Sequence, residues 1–248
     1  LMGFTKLNRF RIFLNRCAPI QINYLGYPGT LGSDCIDYII ADETLITKKE
    51  TEHYTEKVIY LPDTYQANDQ SRKISKKKFT RKQFNLPEDK FVFCCFNKKY
   101  KFNPSIFNLW MRLLKKNANS VLWLIDDNIE SSKNLIKEAK LRKIDSKRII
   151  FTKTLPMEEH LARHKLADLF IDTFPYGAHT TCSDALWSGL PVITKKGDSF
   201  ASRVCSSLLK AIDLEELSTS SDEEYENLAL ELASNSIKLN SIRKKLAN

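Results

Sequence analysis

Between residues 166 and 194 the chain reads LADLFIDTFPYGAHTTCSDALWSGLPVIT, and its chemistry is concentrated in three consecutive side chains, His179, Thr180 and Thr181. A compact apolar run, Leu169–Ile171, ends at Asp172 and leads into a turn of Pro175, Tyr176 and Gly177. The polar trio then opens a helix with Ala185, Leu186 and Trp187 as its apolar positions. Gly189 stops that helix and Pro191 cannot prolong it. The first turn of a helix presents unpaired amides and the positive end of the dipole, so an anion is favoured there. Threonine hydroxyls can cap the helix or donate to an oxygen, and His179 adds a further donor. On a strand–loop–helix unit such a site usually holds a phosphate or diphosphate. The same residues also spell an ordinary threonine-capped helix, and their types alone leave both readings open.

Other groups are spaced for chemistry as well. Asn97-Lys98-Lys99-Tyr100-Lys101 follows an unbroken apolar run over residues 91–96. Lysines at the C-terminal edge of a first parallel strand lie where open α/β sheets bind ligands, although most surface lysines have no such duty. His160 and Arg163 stand one turn apart and share a helix face. A lone histidine there is equally an ordinary structural residue. Asp126-Asp127 could suggest a metal-binding pair, but reads better as the polar end of a loop. Gly26-Tyr27-Pro28-Gly29-Thr30 is a rigid turn whose glycines permit close backbone approach to a ligand, or simply a structural turn.

The elements that must hold these groups alternate between strand and helix. Residues 8–16 carry apolar side chains at helical spacing. Strands follow over 20–25, 38–41 and 58–61, with a helix over 50–55. That is half of a doubly wound sheet, so residues 1–84 read as the rear part of a first Rossmann-like domain. Residues 66–82, QANDQSRKISKKKFTRK, have almost nothing to bury and predict a mobile basic linker. From 85 to 248 the alternation resumes. Strands are predicted over 91–96, 121–125, 148–151, 169–171 and from 192. Helices are predicted over 105–115, 134–143, 156–167, 199–209, 223–233 and 236–246. The run over 91–96 suits a parallel strand covered on both faces.

A chain of 248 residues has room for one large or two modest domains, and 42% hydrophobic residues can fill a core. No apolar run approaches the roughly 18 residues of a membrane helix. The start, LMGFTKLNRF, lacks the order of a signal peptide, and Gly3 is not placed for myristoylation. These features predict a cytoplasmic protein without a membrane partner. The chain begins with Leu and reads as a fragment. Six cysteines (17, 35, 94, 95, 182 and 205) show no zinc spacing, which predicts free thiols. The net charge of +9 raises nucleic acid as a partner. It is concentrated in 72–82 and 243–245 without interleaved aromatics, so no nucleic-acid partner is expected.

The string GAHTTCSDALWSGLPVIT, together with APIQINYLGYPGT, FNKKYKFNP, SVLWL, RIIF and ASRV in the same order, resembles the O-linked N-acetylglucosamine transferases. These are UDP-sugar-dependent protein glycosyltransferases. The resemblance covers nearly the whole chain. It implies an α/β fold of two Rossmann-like domains of GT-B type, the first incomplete and the second, which binds the nucleotide, nearly complete. The implied activity is inverting transfer of N-acetylglucosamine from UDP-GlcNAc to Ser or Thr hydroxyls of acceptor proteins or peptides. No cofactor and no metal are expected, and tetratricopeptide repeats are expected N-terminal to this chain.

Matched residue by residue, Lys101 corresponds to the catalytic lysine that contacts the diphosphate and offsets charge on departing UDP. His160 corresponds to the residue that stacks on uracil, and Arg163 to one that contacts its edge. His179, Thr180 and Thr181 match the diphosphate-binding trio, and Asp184 matches the acceptor of the ribose hydroxyls. Gly26 and Tyr27 fall in the loop near the transferred sugar. Lys98 stands where relatives commonly have Gln, and Met157 where some have Lys. The large insertion of animal relatives is absent from the linker, as in bacterial-type members. No catalytic base is matched: the family's histidine candidates lie upstream, and His53 corresponds to neither. A UDP-glucose-dependent Asn glycosyltransferase of the same wider family shares the UDP half and is the alternative. A UDP-sugar-binding fragment without activity is another.

Overall fold

Two runs of alternating strands and helices form two parallel sheets in a computed structural model of the chain, which describes residues 4, 5 and 7–247. The expectations that rest on Leu1, on Gly3 and on the end at Asn248 lie outside the described residues. The first sheet has the order β1-β2-β3, with β1 at Ile22–Asn23, β2 at Tyr38–Ala41 and β3 at Lys57–Tyr60. Ile22 pairs with Tyr38, which pairs in turn with Lys57. The strand expected over 20–25 shrinks to two residues, and Leu25, with a left-handed backbone at φ 63°, bars its extension on the C-terminal side. The two helices expected here are single 3₁₀ segments, Phe10–Asn15 and Thr51–His53. Neither buries a residue nor has a capping side chain, so nothing extends it.

The second sheet contains β4 (Phe91–Cys95), β5 (Ser120–Ile125), β6 (Ile149–Thr152), β7 (Leu169–Ile171), β8 (Val192–Lys195) and β9 (Ser218–Thr219) in the order β6-β5-β4-β7-β8-β9. Every residue of β5 is buried, as the apolar runs predict for a sheet covered on both faces. The covering helices are α1 (Pro104–Lys116), α2 (Ile129–Leu141), α3 (Met157–Arg163), α4 (Thr180–Trp187), α5 (Phe200–Lys210), α6 (Asp222–Ser234) and α7 (Ser236–Leu246). Asn103 caps α1 by accepting from the Ile106 amide at 3.0 Å, with Pro104 at the first position. Helix α2 starts earlier than expected because Asn128 caps it, accepting from the Ser131 amide at 2.9 Å.

The chain builds β4, β5 and β6 outward in one direction, then returns to lay β7 on the other side of β4. This reversal is the switch point at which open α/β sheets bind ligands, beyond the carboxyl ends of the strands. It brings the lysine segment after β4 beside the loop after β7.

The expected mobile linker is instead a strap fixed to the second sheet's helices. Arg72 pairs with Asp184 at 2.5 Å, and the Ser75 amide donates to Glu158 O at 3.0 Å. Phe79 meets Phe84 edge-on at 5.4 Å. The two sheets also share a core. Ile39, Ala41, Leu45 and Ile46 belong to the same buried cluster as β4, β5 and β7. Asp42, beyond β2, accepts from the Tyr65 amide at 2.9 Å and from the Ser207 hydroxyl of α5 at 2.6 Å.

Candidate functional site

The loop after β7 is shaped by one fully buried carboxylate. Asp172 Oδ1 accepts from Asn97 Nδ2 at 3.0 Å and from the Thr173 and Ala178 amides at 2.7 Å each. Its Oδ2 accepts from the Thr194 hydroxyl at 2.7 Å. Burial still holds Asp172 above the usual carboxylate range, which these donors and Lys101 oppose. The bonds fold residues 173–178 back over the strand ends. A Cβ on Gly177 would sit 3.1 Å from Asp172 Oδ2 and 3.4 Å from Ala201 O, a tight fit that glycine avoids without displacing the carboxylate. Neither Asp172 nor Asn97 carries a role in the sequence reading, although a carboxylate directly after an apolar run is visible there.

This loop delivers the N-terminus of α4. The Cys182 and Ser183 amides bond back to His179 O at 3.1 Å, whereas those of Thr180 and Thr181 have no partner among the described residues. Two free amides and the helix dipole converge on the space in front of Thr180. Neither threonine caps the helix: His179 occupies the cap position and makes no side-chain cap bond. Thr181 donates its hydroxyl to Asn97 Oδ1, whereas the Thr180 hydroxyl has no partner among the described residues.

His179 is not the donor expected from the sequence. A carbonyl can only accept, so the 3.1 Å contact with Ala201 O places the ring proton on Nε2. Burial pulls its pKa down to about 4, with Lys101 acting in the same direction. The neutral ring has no second proton for an anion.

Lys101 closes a 3₁₀ turn, Lys99–Lys101, after β4. Its Nζ donates to Gly177 O at 2.7 Å and lies 4.1 Å from the centre of the Tyr176 ring. Burial lowers its pKa while Asp172 resists the change. Lys101 therefore supports the loop from below and retains ammonium N–H groups for a ligand. Lys99 faces away, toward Asp127 at 3.4 Å and Asp126 at 3.6 Å, so the acidic pair is matched by a lysine. Among the described residues no group of three or more His, Cys, Asp or Glu is placed to hold a metal ion.

Arg163 has no exposed surface, contrary to the expectation that it reaches a base edge. Its Nη1 donates to Lys153 O at 2.7 Å, and its guanidinium lies 4.7 Å from the Phe96 ring. The other terminal nitrogen meets His160 Nδ1 at 2.5 Å. Arginine only donates, so His160 accepts at Nδ1 and holds its proton on Nε2. Burial first, then His164 and Arg163, lowers the His160 pKa to about 2. The result is a neutral, fixed ring on the half-exposed face of α3. His164 is fully buried and donates Nδ1–H to His160 O at 2.8 Å, a supporting role the sequence does not show.

Asp184 is 3% exposed and is held by Arg72, a residue with no signal in the sequence. The cleft in front of α4, about 280 Å³, is lined by Leu25, Tyr65, Gln66, Asn68, Arg72, His179 and Thr180 among others. It is Leu25, just before the glycine-rich turn, that reaches the cleft. Gly26 and Tyr27 do not line it, because Tyr27 packs edge-on against Phe4 at 5.3 Å and beside Leu31, Cys35 and Ile36. A wider groove of about 840 Å³ lies on the far side of the strap, against Leu186, Trp187 and Ile212. Its mainly apolar wall offers no match for the unpaired amides of α4.

The sequence profile of glycosyl transferase family 41 matches residues 1–79 and 76–248. SEC of Arabidopsis thaliana, named as a probable UDP-N-acetylglucosamine–peptide N-acetylglucosaminyltransferase, is 39% identical over 99% of this chain and 26% of its own length. The UDP-N-acetylglucosamine–peptide N-acetylglucosaminyltransferase of Caenorhabditis elegans is 26% identical over 98% of this chain and 31% of its own. The chain thus spans roughly a quarter to a third of these relatives. Among solved structures, a mutant O-GlcNAc transferase of Thermobaculum terrenum aligns with 95% of this chain and 44% of its own, at 29% identity and a TM-score of 0.84. WaaG, a glycosyltransferase involved in lipopolysaccharide biosynthesis, aligns with 95% of this chain and 74% of its own, at 12% identity and a TM-score of 0.58, a likeness of fold alone.

Proposed function

Because the chain belongs to glycosyl transferase family 41, with the paired Rossmann-like sheets of a GT-B fold, we propose that it carries the UDP-sugar half of a protein N-acetylglucosaminyltransferase. The reaction moves N-acetylglucosamine from UDP-GlcNAc to Ser or Thr hydroxyls of acceptor proteins, with inversion. In our division, residues 1–84 are the rear part of the first Rossmann-like domain with its strap, and 85–248 bind the UDP-sugar. Tetratricopeptide repeats precede this chain in the full-length protein, which we place in the cytoplasm. No helix among the described residues is long and apolar enough to cross a membrane.

The single observation that carries the reading is the pair of amides, Thr180 and Thr181, unpartnered among the described residues, at the switch point beside the half-buried ammonium of Lys101. In the proposed step an acceptor hydroxyl attacks the anomeric carbon, and the bond from that carbon to the diphosphate oxygen breaks. The electron pair stays on departing UDP. Lys101 and the start of α4 meet the developing charge without reorganising, the arrangement that lowers such barriers most. We assign this charge to Lys101 and the helix dipole, without a cofactor or a metal. The His160 ring offers a flat neutral face for uracil, worth roughly 1–3 kcal/mol of stacking. The proton of the acceptor hydroxyl passes to a base that we do not assign within this chain.

Calorimetric titration with UDP, and with ADP as control, tests the reading. We expect UDP to bind and ADP to bind far more weakly. A chain that melts cooperatively yet ignores UDP would overturn it. Competition between UDP-GlcNAc and UDP-glucose in the full-length enzyme separates GlcNAc transfer from the Asn-glucosylating alternative.

A further inference from the structure

The strap over residues 64–77 runs from α5 across α4 to the start of α3. Thr64 and Ser207 share a hydrogen bond of 2.8 Å on α5, the Ser183 hydroxyl of α4 donates to Asn68 Oδ1 at 2.5 Å, and the Ser75 amide reaches Glu158 O at 3.0 Å. Arg72 is the charged residue at the centre of this crossing. Its Nη1 donates to Asp184 Oδ1 at 2.5 Å, Nη2 to the Ser183 hydroxyl at 3.3 Å, and Nε to Asp69 O at 3.2 Å. The guanidinium lies 5.3 Å from the centre of the Trp187 ring, so its plane is fixed from several directions.

Asp184 lies one turn beyond Thr180 on the same helix face. Its Oδ2 accepts no hydrogen bond from any described residue, while Oδ1 is taken by Arg72. Burial holds the Asp184 carboxyl, 3% exposed, above its ordinary value, and the charge and hydrogen bond of Arg72 oppose this. Only the ionised form is acceptor-only, so that with Oδ1 taken by Arg72 the lone pairs of Oδ2 all remain for sugar hydroxyls.

We propose that Arg72 is a positioning residue for the nucleotide, holding Asp184 by Oδ1 so that Oδ2 accepts from the ribose hydroxyls. The inference rests on the reading of Asp184 as the ribose acceptor. It makes recognition of the sugar ring depend on the strap, a segment outside the nucleotide-binding sheet.

The test titrates the chain with UDP and with 2′,3′-dideoxy-UDP, which lacks both hydroxyls. The unaltered chain should prefer UDP by about tenfold or more, the size of a charged hydrogen bond. Arg72→Ala and Arg72→Gln should lose most of that preference while binding dideoxy-UDP as before, and Arg72→Lys should restore part of it. A thermal melt of each variant shows that the fold persists, and Arg72→Gln, which keeps a donor, serves if Arg72→Ala does not fold. Equal weakening toward both nucleotides would mean that Arg72 touches the diphosphate, and would overturn the proposal. Unchanged preference in both variants would overturn it too. Asp184→Asn separates the two layers of the argument. If this variant still prefers UDP, the ribose reading of Asp184 fails and the role of Arg72 falls with it. If only the Arg72 variants keep the preference, the strap alone is excluded.

Discussion

Arg203 holds Glu50 by two hydrogen bonds of 2.6 Å, one from each terminal nitrogen of the guanidinium. The pair ties α5 of the second sheet to the segment between β2 and β3 of the first, and Arg203 adds a bond to Gly197 O at 2.7 Å. The cleft in front of α4 takes its lining from both halves of the chain, Leu25 and Tyr65 from one and His179 and Thr180 from the other, and this clasp joins those halves.

Removing one partner should therefore loosen the join. Glu50→Gln is expected to lower stability by about 1–3 kcal/mol at pH 7, below the full value for a buried pair because Glu50 is 27% exposed at its side chain. Arg203 depresses the Glu50 pKa to about 2, against an ordinary value of 4.5. A depressed carboxylate stabilises the fold above its unfolded pKa and loses that contribution as pH falls through the folded one. The deficit of the variant should thus be full at pH 7 and shrink between pH 4.5 and 2. Urea midpoints measured at pH 7 and pH 3 check this, and equal deficits at both would rule out the ionised clasp.

His160 and Arg163 divide one task between surface and interior. His160→Ala should weaken UDP binding by about tenfold through loss of the stacking face. Arg163→Met should weaken it as well, although Arg163 has no exposed surface, because the ring loses the donor at Nδ1. Nitrogen chemical shifts of the imidazole report the tautomer directly. We expect a proton on Nε2 in the unaltered chain and a mixture in Arg163→Met. An Nδ1–H ring in the unaltered chain would contradict the arrangement.

Lys101 supports the loop and, in the proposed reaction, meets the leaving group, so its removal should be felt unevenly. In the full-length enzyme, Lys101→Ala should reduce turnover by about 10²–10³-fold, the range for loss of one preorganised charge donor. UDP affinity should fall much less, because the charge acts mainly on the departing diphosphate. Steady-state kinetics paired with calorimetry separate the two, and equal losses would contradict a role confined to the reaction step.

Much of the second sheet was legible because its strands are continuous apolar runs bounded by polar turns. The helix at Thr180 was legible from Gly189 and Pro191 at its end. What sequence periodicity missed depends on distant partners. Arg72 finds Asp184 112 residues further on, and Thr181 is drawn to Asn97 84 residues earlier. A basic, polar segment such as 66–82 looks unable to bury anything, and it packs through individual anchors instead of an apolar face. Periodicity put Arg163 on the same helix face as His160, and the resemblance assigned that face to the base. It could not show that Lys153 O, Phe96 and Trp123 form a pocket that draws the guanidinium inward. The helices expected near the N-terminus bury nothing and became short 3₁₀ segments of six and three residues.

Three histidines gathered at the site make the fold sensitive to mild acid. Burial lowers the pKa of His160 to about 2, and of His164 and His179 to about 4 each, whereas an unfolded histidine titrates near 6.5. Below pH 6.5 the unfolded chain therefore takes up protons that the folded chain refuses, so stability is full above 6.5 and declines as pH falls toward 4. Each histidine contributes a slope of at most about 1.4 kcal/mol per pH unit. Glu50 enters only below its unfolded value of 4.5, which leaves pH 5–6.5 to the histidines, opposed by Asp172 and Asp184, whose carboxyl pKa values burial raises. Urea midpoints at pH 7, 6 and 5 should fall steadily, and His164→Gln, at a fully buried ring, should flatten the fall by one histidine's share. A constant midpoint from pH 7 to 5 would mean that the rings accept protons in place. A diphosphate bound in front of Thr180 puts negative charge beside His179 and favours its imidazolium, so saturating UDP should make the same slope shallower.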